Sequence, residues 1–409
     1  MTDLPLISGP DFPIGIYWPP PPEETTAQRY QEIAAAGFTF VITGNYLGDG
    51  NIIGWALKLA DAVGLKVLVF EDTQLLNLTR FFDINDDRSV PMTITMADGA
   101  ELVRRVEAAY GGHASLAGYN LFDEPDYNKF DTVGKAFQLV RQNAPGRLPY
   151  ANLLPDLGRA PGDYPNYIER YCQVVQPALL SFDRYPLTSA PGSFDANYFT
   201  NWVDIREAGL RHNLPTWTYI QAVGTNWYRA PSNAEMLWLI NVSLAYGCKG
   251  IQYFTYWQPD PARREDFSPA LMDLSGRQTT RYQGAKTINT TWLRQVGREL
   301  KPLVSERVMH YDDPDDPPRV TTFSPDAYVS AVSGDPVILG QFTSGGPGRW
   351  LLVTNRSFTG PSTTSIWFGS AVSSVTLFDP GTQTYRPVSD PSSVTVMLPT
   401  GGAALYRLQ

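Results

Sequence analysis

The sequence predicts an α/β fold, a (β/α)8 TIM barrel followed by a small all-β sandwich. Short apolar runs alternate with amphipathic helical stretches eight times between about residues 13 and 300. Each run is continuous and bounded by turn residues, as buried parallel strands are. Beyond about residue 310 the runs become short and alternating, with Gly, Ser and Pro between them, which is typical of an antiparallel sandwich. We therefore predict a barrel over residues 1–308 and a sandwich over residues 309–409.

The predicted elements follow from these patterns in chain order. The eight barrel strands are expected at 14–18, 38–43, 66–70, 116–122, 149–154, 178–182, 216–220 and 250–256. Helices are expected between them, at about 25–36, 52–63, 97–110, 194–212 and 233–246. A long insertion, 72–95, follows the third strand and could wall off one end of a cleft. Sandwich strands are expected at 349–354, 374–378 and 393–398.

Glycines mark several of the predicted helix ends. Four of them follow a helix and precede a strand, and we expect each to be a left-handed C-cap: Gly37, Gly64, Gly111 and Gly247. Glycine is favoured there because it has no side chain to clash in the left-handed conformation.

Composition and charge exclude several classes of function. The net charge is −9 with 32 Lys and Arg, and nucleic acid needs a basic face, so we expect no nucleic-acid partner. No apolar run approaches the ~18 residues of a membrane span. The N-terminus shows no secretory signal, which predicts a cytoplasmic protein, or a secreted one if a leader was removed. Cys172 and Cys248 have no disulfide-like spacing, and we expect two buried thiols.

Carboxylates at the end of the fourth strand are the first candidates for chemistry, because TIM-barrel active sites lie at the carboxyl ends of the strands. That strand ends in Asp123-Glu124-Pro125. Strand alternation predicts Asn120 and Glu124 on one side and Asp123 on the other. A carboxyl near other carboxyls and aromatic rings has a raised pKa, which suits Glu124 to general-acid catalysis. The alternative is a helix N-cap cluster, where acidic residues are also favoured.

Here the sequence resembles a known group of enzymes. A Glu followed by Pro at the fourth strand end resembles the acid/base signature of retaining barrel glycosidases of clan A, which usually have Asn-Glu where this chain has Asp-Glu. Residues 181–186, 217–221 and 245–257 are similar in kind to that group, and 401–408 resembles the end of its small C-terminal domain. The resemblance implies a glycoside hydrolase that cleaves an oligo- or polysaccharide, with Glu124 as general acid/base.

The chain departs from that pattern at the seventh strand. Clan A enzymes carry a nucleophilic Glu there, and this chain has Gln221. An amide cannot form a glycosyl ester, so the chain could be an inactive carbohydrate-binding barrel or an inactivated Glu→Gln variant of a retaining enzyme. If Gln221 is native and the protein is active, a second carboxylate must come from elsewhere. Asp183 at the sixth strand end is the first candidate, although it could be only a salt-bridge partner of Arg184 or a loop cap.

The sequence does not determine which residue supplies the second carboxylate or how far it lies from Glu124. Glu71 and Asp72, at the third strand end, are the next candidates for the second carboxylate. A separation of ~5 Å from Glu124 would favour retention of configuration, and ~6.5–9.5 Å would favour inversion.

Aromatic, amide and acidic side chains near the strand ends are predicted to bind the sugar, because rings stack on flat aromatic platforms. The predicted substrate-binding residues are Tyr17, Trp18, Asn45, Tyr46, Asp72, Asn120, Asp123, Asn152, Tyr185, Trp217, Tyr219, Trp227, Tyr253, Tyr256 and Trp257. Gln252 supplies a further amide of this kind.

Other chemistries lack their residues. The three histidines, His113, His212 and His310, have no metal-ligand spacing, and no phosphate-cradling glycine loop is present. We therefore expect no metal and no cofactor. The remaining alternatives to an enzyme are a carbohydrate-binding barrel and a structural scaffold, and the oligomeric state stays open.

Overall fold

A computed structural model of the chain describes residues 3–76, 78, 94–156, 164–263 and 265–409. Eight parallel strands form one sheet in the order β5-β4-β3-β2-β1-β8-β7-β6. Its strands are β1 Ile14–Tyr17, β2 Phe40–Ile42, β3 Lys66–Val69, β4 Leu116–Asp123, β5 Leu148–Asn152, β6 Leu180–Phe182, β7 Thr216–Gln221 and β8 Gly250–Phe254. A parallel bridge between Leu153 and Phe182 joins the two edges. The predicted barrel is therefore confirmed.

Helices follow the strands and cover the outside of the barrel. The helices described are α1 Ala27–Ala35, α2 Gly50–Val63, α3 Met96–Tyr110, α4 Phe130–Asn143, α5 Tyr164–Val175, α6 Asn197–His212, α7 Asn233–Ala245, α8 Thr280–Ile288 and α9 Arg294–Leu300. Most of the predicted bounds agree to within about three residues. The insertion predicted at 72–95 lies mostly outside the described residues.

The barrel interior is filled by pairing glycines with large aromatic rings. A Cβ on Gly15 would lie 2.3 Å from the ring of Phe40, and one on Gly250 would lie 2.5 Å from the ring of Trp217. Phe40 and Trp217 in turn pack on each other, with ring centroids 5.4 Å apart. The missing side chains make room for the rings, so the interior is a packed core and not a pore.

Three of the four predicted C-cap glycines have the expected conformation. Gly37, Gly64 and Gly247 have φ of +80°, +73° and +89°. The prediction is wrong for Gly111, whose φ is −62°. The backbone there continues as a right-handed turn, and a Cβ on Gly111 would lie 2.5 Å from the carbonyl oxygen of Glu107. Glycine is needed at this position for close packing and not for a left-handed turn.

The C-terminal part consists of two antiparallel sheets, which confirms the predicted sandwich. One sheet has the order β15-β14-β17-β12-β11-β9 and the other β10-β13-β16. The strands are β9 Val304–Tyr311, β10 Val329–Gly334, β11 Val337–Thr343, β12 Arg349–Asn355, β13 Ser362–Phe368, β14 Val375–Asp379, β15 Thr384–Pro387, β16 Ser393–Leu398 and β17 Ala403–Leu408. The predicted domain boundary at 308 falls inside β9.

The sandwich packs against α6 and α7 of the barrel. The ring of Trp238 lies 5.0 Å from that of Phe358, and its Nε1 donates to the carbonyl oxygen of Arg356. On α6, Arg206 Nε donates to Ser305 Oγ of β9 at 2.8 Å. Because α7 follows β7, these contacts hold the sandwich against the outside of the barrel near β7.

Two other expectations concern the cysteines and the membrane. Cys172 and Cys248 are free and buried, as predicted. In the described ranges, no helix combines the length and the apolar character that crossing a bilayer requires.

The close approach of β4 and β5 gives a test of the packing. A Cβ on Gly118 would lie 2.1 Å from the carbonyl oxygen of Leu148, so Gly118→Ala must push the two strands apart. We expect a loss of about 1–3 kcal/mol of unfolding free energy, measured by urea denaturation. Gly54→Ala in α2 is the matched control, because nothing lies within 4 Å of a Cβ there. It should be neutral or stabilising by up to ~1 kcal/mol. Equal midpoints for the two variants would contradict this packing.

Candidate active site

A cavity of about 490 Å³ opens at the carboxyl ends of the barrel strands. Five carboxyl groups line it, and three of them lie at strand ends: Asp123 and Glu124 from the end of β4, and Asp183 from the end of β6. Asn152, at the end of the intervening strand β5, lies between them in the sheet order. The closed barrel therefore brings together groups that are far apart in the chain.

The position of Glu124 depends on an unusual backbone conformation. Its φ is +51°, a region that costs a non-glycine residue about 1–3 kcal/mol. The strain is held by two hydrogen bonds: Glu124 N donates to the carbonyl oxygen of Asn152 at 2.9 Å, and Tyr167 Oη donates to the carbonyl oxygen of Pro125 at 2.8 Å. Trp18, Asn45, Tyr46 and Glu71, which follow β1, β2 and β3, also have positive φ. Strained residues thus cluster at this rim of the barrel.

This turn also corrects the predicted alternation at the end of β4. Asp123 and Glu124 were expected to point to opposite sides, but both line the cavity. The strand ends at Asp123, so Glu124 lies in the turn and no longer follows the two-residue period of a strand.

Asp183 and Glu124 form a carboxyl–carboxyl hydrogen bond. Asp183 is buried, with only 8% of its surface exposed. Burial, followed by the charges of Glu124 and Asp123, raises the pKa of Asp183 well above its usual range. Two carboxylates in contact repel each other unless one of them keeps a proton. A proton shared between the two carboxyls would remove this repulsion.

Asp123 is a second protonatable group beside this pair. Asp123 is exposed to solvent in the cavity, and the protein atoms around its carboxyl desolvate it only in part. This desolvation and the charge of Glu124 raise the pKa of Asp123 to about 7, while hydrogen bonds from Tyr17 and Asn152 oppose the rise. Asn152 Nδ2 also donates to Asp183 Oδ1 at 2.8 Å. One amide thus holds both carboxyls.

Aromatic rings form one wall of the cavity. The ring of Phe254 stacks against those of Tyr17 and Tyr185, with centroid distances of 5.8 and 5.0 Å. Tyr228 continues the wall at 5.2 Å from Tyr185. Trp227 is 74% exposed at the mouth of the cavity. Such flat faces suit the apolar face of a sugar ring.

Two arginines also line the cavity. Arg184 pairs with Asp195 and donates to the carbonyl oxygen of Asp156 at 2.5 Å. The guanidinium of Arg263 lies 3.7 Å from the ring centroid of Trp18, in a cation–π contact. The expected alternative for Asp183, a salt bridge with Arg184, is wrong, because Arg184 uses Asp195.

Nine of the predicted site residues line the cavity. They are Tyr17, Trp18, Asp123, Glu124, Asn152, Asp183, Tyr185, Tyr219 and Trp227. The others do not line it, and each has another environment.

Two of the others lie inside the barrel. Trp217 packs against Phe40 and Tyr150. Asn120 is buried, and its amide atoms have no hydrogen-bond partner among the described residues. Both fill the interior of the barrel and do not face the cavity.

Three aromatic residues face the surrounding helices. Tyr253 Oη donates to Asn289 Oδ1 at 2.8 Å. Tyr256 packs against Tyr282 at a centroid distance of 6.4 Å. Trp257 is covered by the guanidinium of Arg29, 5.2 Å from its ring. Period-two alternation explains Tyr253, since its neighbours in β8 point the opposite way.

The last three of these residues follow β2 and β3. Asn45 Nδ2 donates to the carbonyl oxygen of Pro19 at 2.6 Å, and Tyr46 is 54% exposed. Asp72 accepts hydrogen bonds from the backbone of residues 74 and 75 and from Tyr110 Oη, at 2.6 to 3.0 Å. It caps a turn of the chain, which leaves its oxygens no free position for a substrate.

Gln221 is buried and does not line the cavity. Its Nε2 donates to the carbonyl oxygen of Arg229 at 2.5 Å, and its Oε1 accepts from Leu187 N at 3.4 Å. These partners require an amide, because a carboxylate could not donate to the carbonyl oxygen. The structure thus gives Gln221 a packing role in the loops behind the cavity.

Several lining residues, at the end of β8 and in the loops after β5, β6, β7 and β8, were not among the predicted site residues. These are Leu154, Pro155, Arg184, Asp195, Tyr228, Phe254, Thr255, Pro259, Arg263, Glu265 and Phe267. The charges at 263 and 265 in a Pro-containing loop after β8 were the available signal, since barrel sites are built from such loops. In the part of the chain that the structure describes, no group of three or more His, Cys, Asp or Glu side chains is arranged to hold a metal ion.

The solved structures that resemble this fold include glycoside hydrolases. A solved glycoside hydrolase matches the whole chain with a TM-score of 0.59, 10% identity and 98% of its own length covered. A glycoside hydrolase family 5 protein from Bacteroides vulgatus matches 97% of the chain and 89% of its own length, with a TM-score of 0.58 and 10% identity.

A third structure is a variant from glycoside hydrolase family 5, subfamily 18, of Streptomyces cattleya, in complex with Manβ1-4GlcNAc. It matches 68% of this chain and 80% of its own length, with a TM-score of 0.50 and 14% identity. These identities show a shared fold and no more. No protein-family model matches the sequence, and no curated protein matches it.

The raised pKa of Asp123 has a consequence for stability. An unfolded Asp titrates near ~3.9, and the folded group near about 7. Between these values the folded state binds more protons, so the contribution of Asp123 to stability falls as pH rises and is lost above about pH 7.

We therefore expect Asp123→Asn to raise the Tm more at pH 8 than at pH 4, by on the order of 1–3 °C. Scanning calorimetry at both pH values measures the difference. Asp126→Asn, an exposed carboxyl outside the cavity, is the control and should show no such dependence. A gain for Asp123→Asn that is the same at both pH values would count against the raised pKa.

The contacts of Gln221 predict that a glutamate there is harmful. Gln221→Glu should lower the unfolding free energy by about 1–3 kcal/mol, because it leaves a buried carbonyl oxygen without its donor. Gln138→Glu, on the exposed face of α4, is the control and should be close to neutral. Urea denaturation and hydrolysis of aryl glycosides measure the two effects. An increase in hydrolysis would show that Gln221 occupies the place of a missing nucleophile.

Proposed function

We propose that this protein is a glycoside hydrolase that cleaves a glycosidic bond in an oligo- or polysaccharide, with Glu124 as general acid/base and Asp183 as the second carboxylate. The observation that carries the proposal is the contact between these two carboxyls inside an aromatic-lined cavity at the mouth of the barrel. A pair of carboxyl groups on either side of the scissile bond is the common requirement of glycoside hydrolysis.

The shared proton supplies the acid. When a glycoside enters the cavity, its glycosidic oxygen takes the place of Asp183 as the partner of Glu124. Glu124 gives the proton to the departing oxygen, and the Asp183 carboxylate attacks the anomeric carbon, so that the C–O bond to the leaving group breaks as the ester forms. Water then attacks the anomeric carbon, the bond from that carbon to Asp183 breaks, and Glu124 takes the proton from this water.

The direct contact supports retention of configuration. An inverting enzyme keeps its carboxyl groups about 6.5–9.5 Å apart to leave room for a water molecule. In the free protein Asp183 and Glu124 touch, which leaves no such room. A small opening of the pair would give the shorter separation of a retaining enzyme.

The charge balance of the cavity agrees with this chemistry. Asp183 is held by the neutral amide of Asn152, and Arg184 is occupied by Asp195. A neutral donor leaves the carboxyl pair free to keep its proton, whereas a guanidinium beside it would drive the proton off.

The alternative of an inactive carbohydrate-binding barrel had one motivation, the amide of Gln221. That side chain is buried away from the cavity and bonded to Arg229 and Leu187. Its identity therefore says nothing about the carboxyl pair that lines the cavity. Loss of turnover with retained binding separates the two functions.

Glu124→Gln tests the proposal directly. The amide keeps the shape but cannot donate a proton to the leaving oxygen, so kcat/KM should fall by about 10²- to 10⁴-fold. Binding of an intact oligosaccharide, measured by calorimetry, should persist. Asp126→Asn is the matched control two residues along, and its hydrolysis should equal that of the wild type. Release of reducing sugar from a broad panel of glycans gives the rates. If the wild-type protein releases none, the proposed function is wrong.

A further inference from the structure

A row of buried polar side chains crosses the barrel interior beside the cavity. Gln252 Nε2 donates to Tyr150 Oη at 2.7 Å, Tyr150 Oη lies 2.7 Å from Ser181 Oγ, and Ser181 Oγ donates to Asn152 Oδ1 at 3.0 Å. All four side chains are at most 2% exposed. They come from three strands, β8, β5 and β6. We call these four residues the polar row.

The hydrogen bonds of the polar row all run in one direction. Ser181 has a single hydroxyl hydrogen, and it goes to Asn152 Oδ1. Tyr150 then donates to Ser181 at 2.7 Å in preference to Tyr219 Oη at 3.4 Å, and its oxygen accepts from Gln252. At its end, the row donates a hydrogen bond to the side-chain oxygen Oδ1 of Asn152. The NH2 group of that side chain therefore faces the other way.

The NH2 group of Asn152 faces the carboxyls of the cavity. It donates to Asp183 Oδ1 at 2.8 Å and also bonds to Asp123. If the amide turned over, its oxygen would face two carboxyls, and both hydrogen bonds would be replaced by repulsion. The two orientations of an amide have nearly the same shape, so packing does not choose between them. The polar row does.

The polar row makes the barrel interior less stable than apolar side chains would. Apolar side chains would fill the interior at lower cost, because buried polar groups must all be paired. The pairing is incomplete, since Gln252 Oε1 has no hydrogen-bond partner among the described residues. A row that serves only packing would not need a fixed direction that ends at Asn152.

We propose that Tyr150 and Ser181 are positioning residues that fix the orientation of Asn152 and, through it, the carboxyl groups of Asp123 and Asp183. Neither side chain is among those that line the cavity, so they act without touching the substrate. The effect on hydrolysis rests on the proposed function, but the effect on the carboxyl groups does not.

Tyr150→Phe and Ser181→Ala each break the row, and the test measures titration of the carboxyls in the full chain without substrate. Carbon-13 NMR of carboxyl-labelled aspartate follows each group, and Asp123→Asn and Asp183→Asn assign the two signals. Hydrogen bonds from Asn152 lower the pKa of both carboxyls. Both titrations should therefore move to higher pH when Asn152 is released.

Tyr198→Phe is the matched control. It also deletes a buried tyrosine hydroxyl, which lies 3.4 Å from Ser243 Oγ and is not part of the polar row. Its stability should fall as in Tyr150→Phe, while the two aspartate titrations stay in place. Titrations that match the wild type in folded Tyr150→Phe or Ser181→Ala would overturn the proposal.

Hydrolysis gives a second, separate readout. In the same two variants kcat should fall by about 10- to 100-fold, because the carboxyls lose their geometry, while KM changes by less than about threefold. Titrations that move in a protein that hydrolyses nothing would support the polar row and refute the proposed function. Unchanged kcat and titrations in an active protein would refute the polar row alone.

Discussion

The contact between Glu124 and Asp183 is the interaction on which the rest of the site depends. Two carboxyls are held together at the cavity, and a proton shared between them would relieve their repulsion. The protein meets the cost of this arrangement with the backbone of the barrel. The strained turn at Glu124 is fixed by Asn152 and Tyr167, and Asp183 by the Asn152 amide. The fold thus forces together groups that would otherwise repel each other.

Asn152 connects the chemistry of the cavity to the packing of the barrel. Its backbone carbonyl oxygen accepts a hydrogen bond from Glu124 N. Its side-chain NH2 group donates to Asp123 and Asp183, and its side-chain Oδ1 accepts from Ser181. One residue of β5 therefore links the ends of β4 and β6. This is a consequence of strand order, because β5 lies between them when the barrel closes.

Most of the fold could be predicted from the sequence, and about half of the predicted site residues line the cavity. Buried parallel strands have an apolar signature of their own, so all eight were predicted. The sequence could not show which way the aromatic residues at the strand ends point, and Trp217, Tyr253 and Tyr256 prove to be packing residues. Alternation failed at Glu124 because the strand ends one residue earlier. The cavity residues in the loop after β8, such as Arg263, follow no periodic sequence pattern that would predict where their side chains point.

The seventh strand ends in Gln221, where a nucleophilic glutamate was expected. The amide at Gln221 suggested a lost nucleophile, yet its partners require an amide and it does not reach the cavity. A barrel offers eight strand ends to one cavity, so a carboxylate needed near Glu124 does not have to come from β7. Asp183 at the end of β6 is in direct contact with Glu124, and β6 is adjacent to β7 in the sheet. The requirement is for a second carboxylate at the right distance, and the strand that supplies it is free to change.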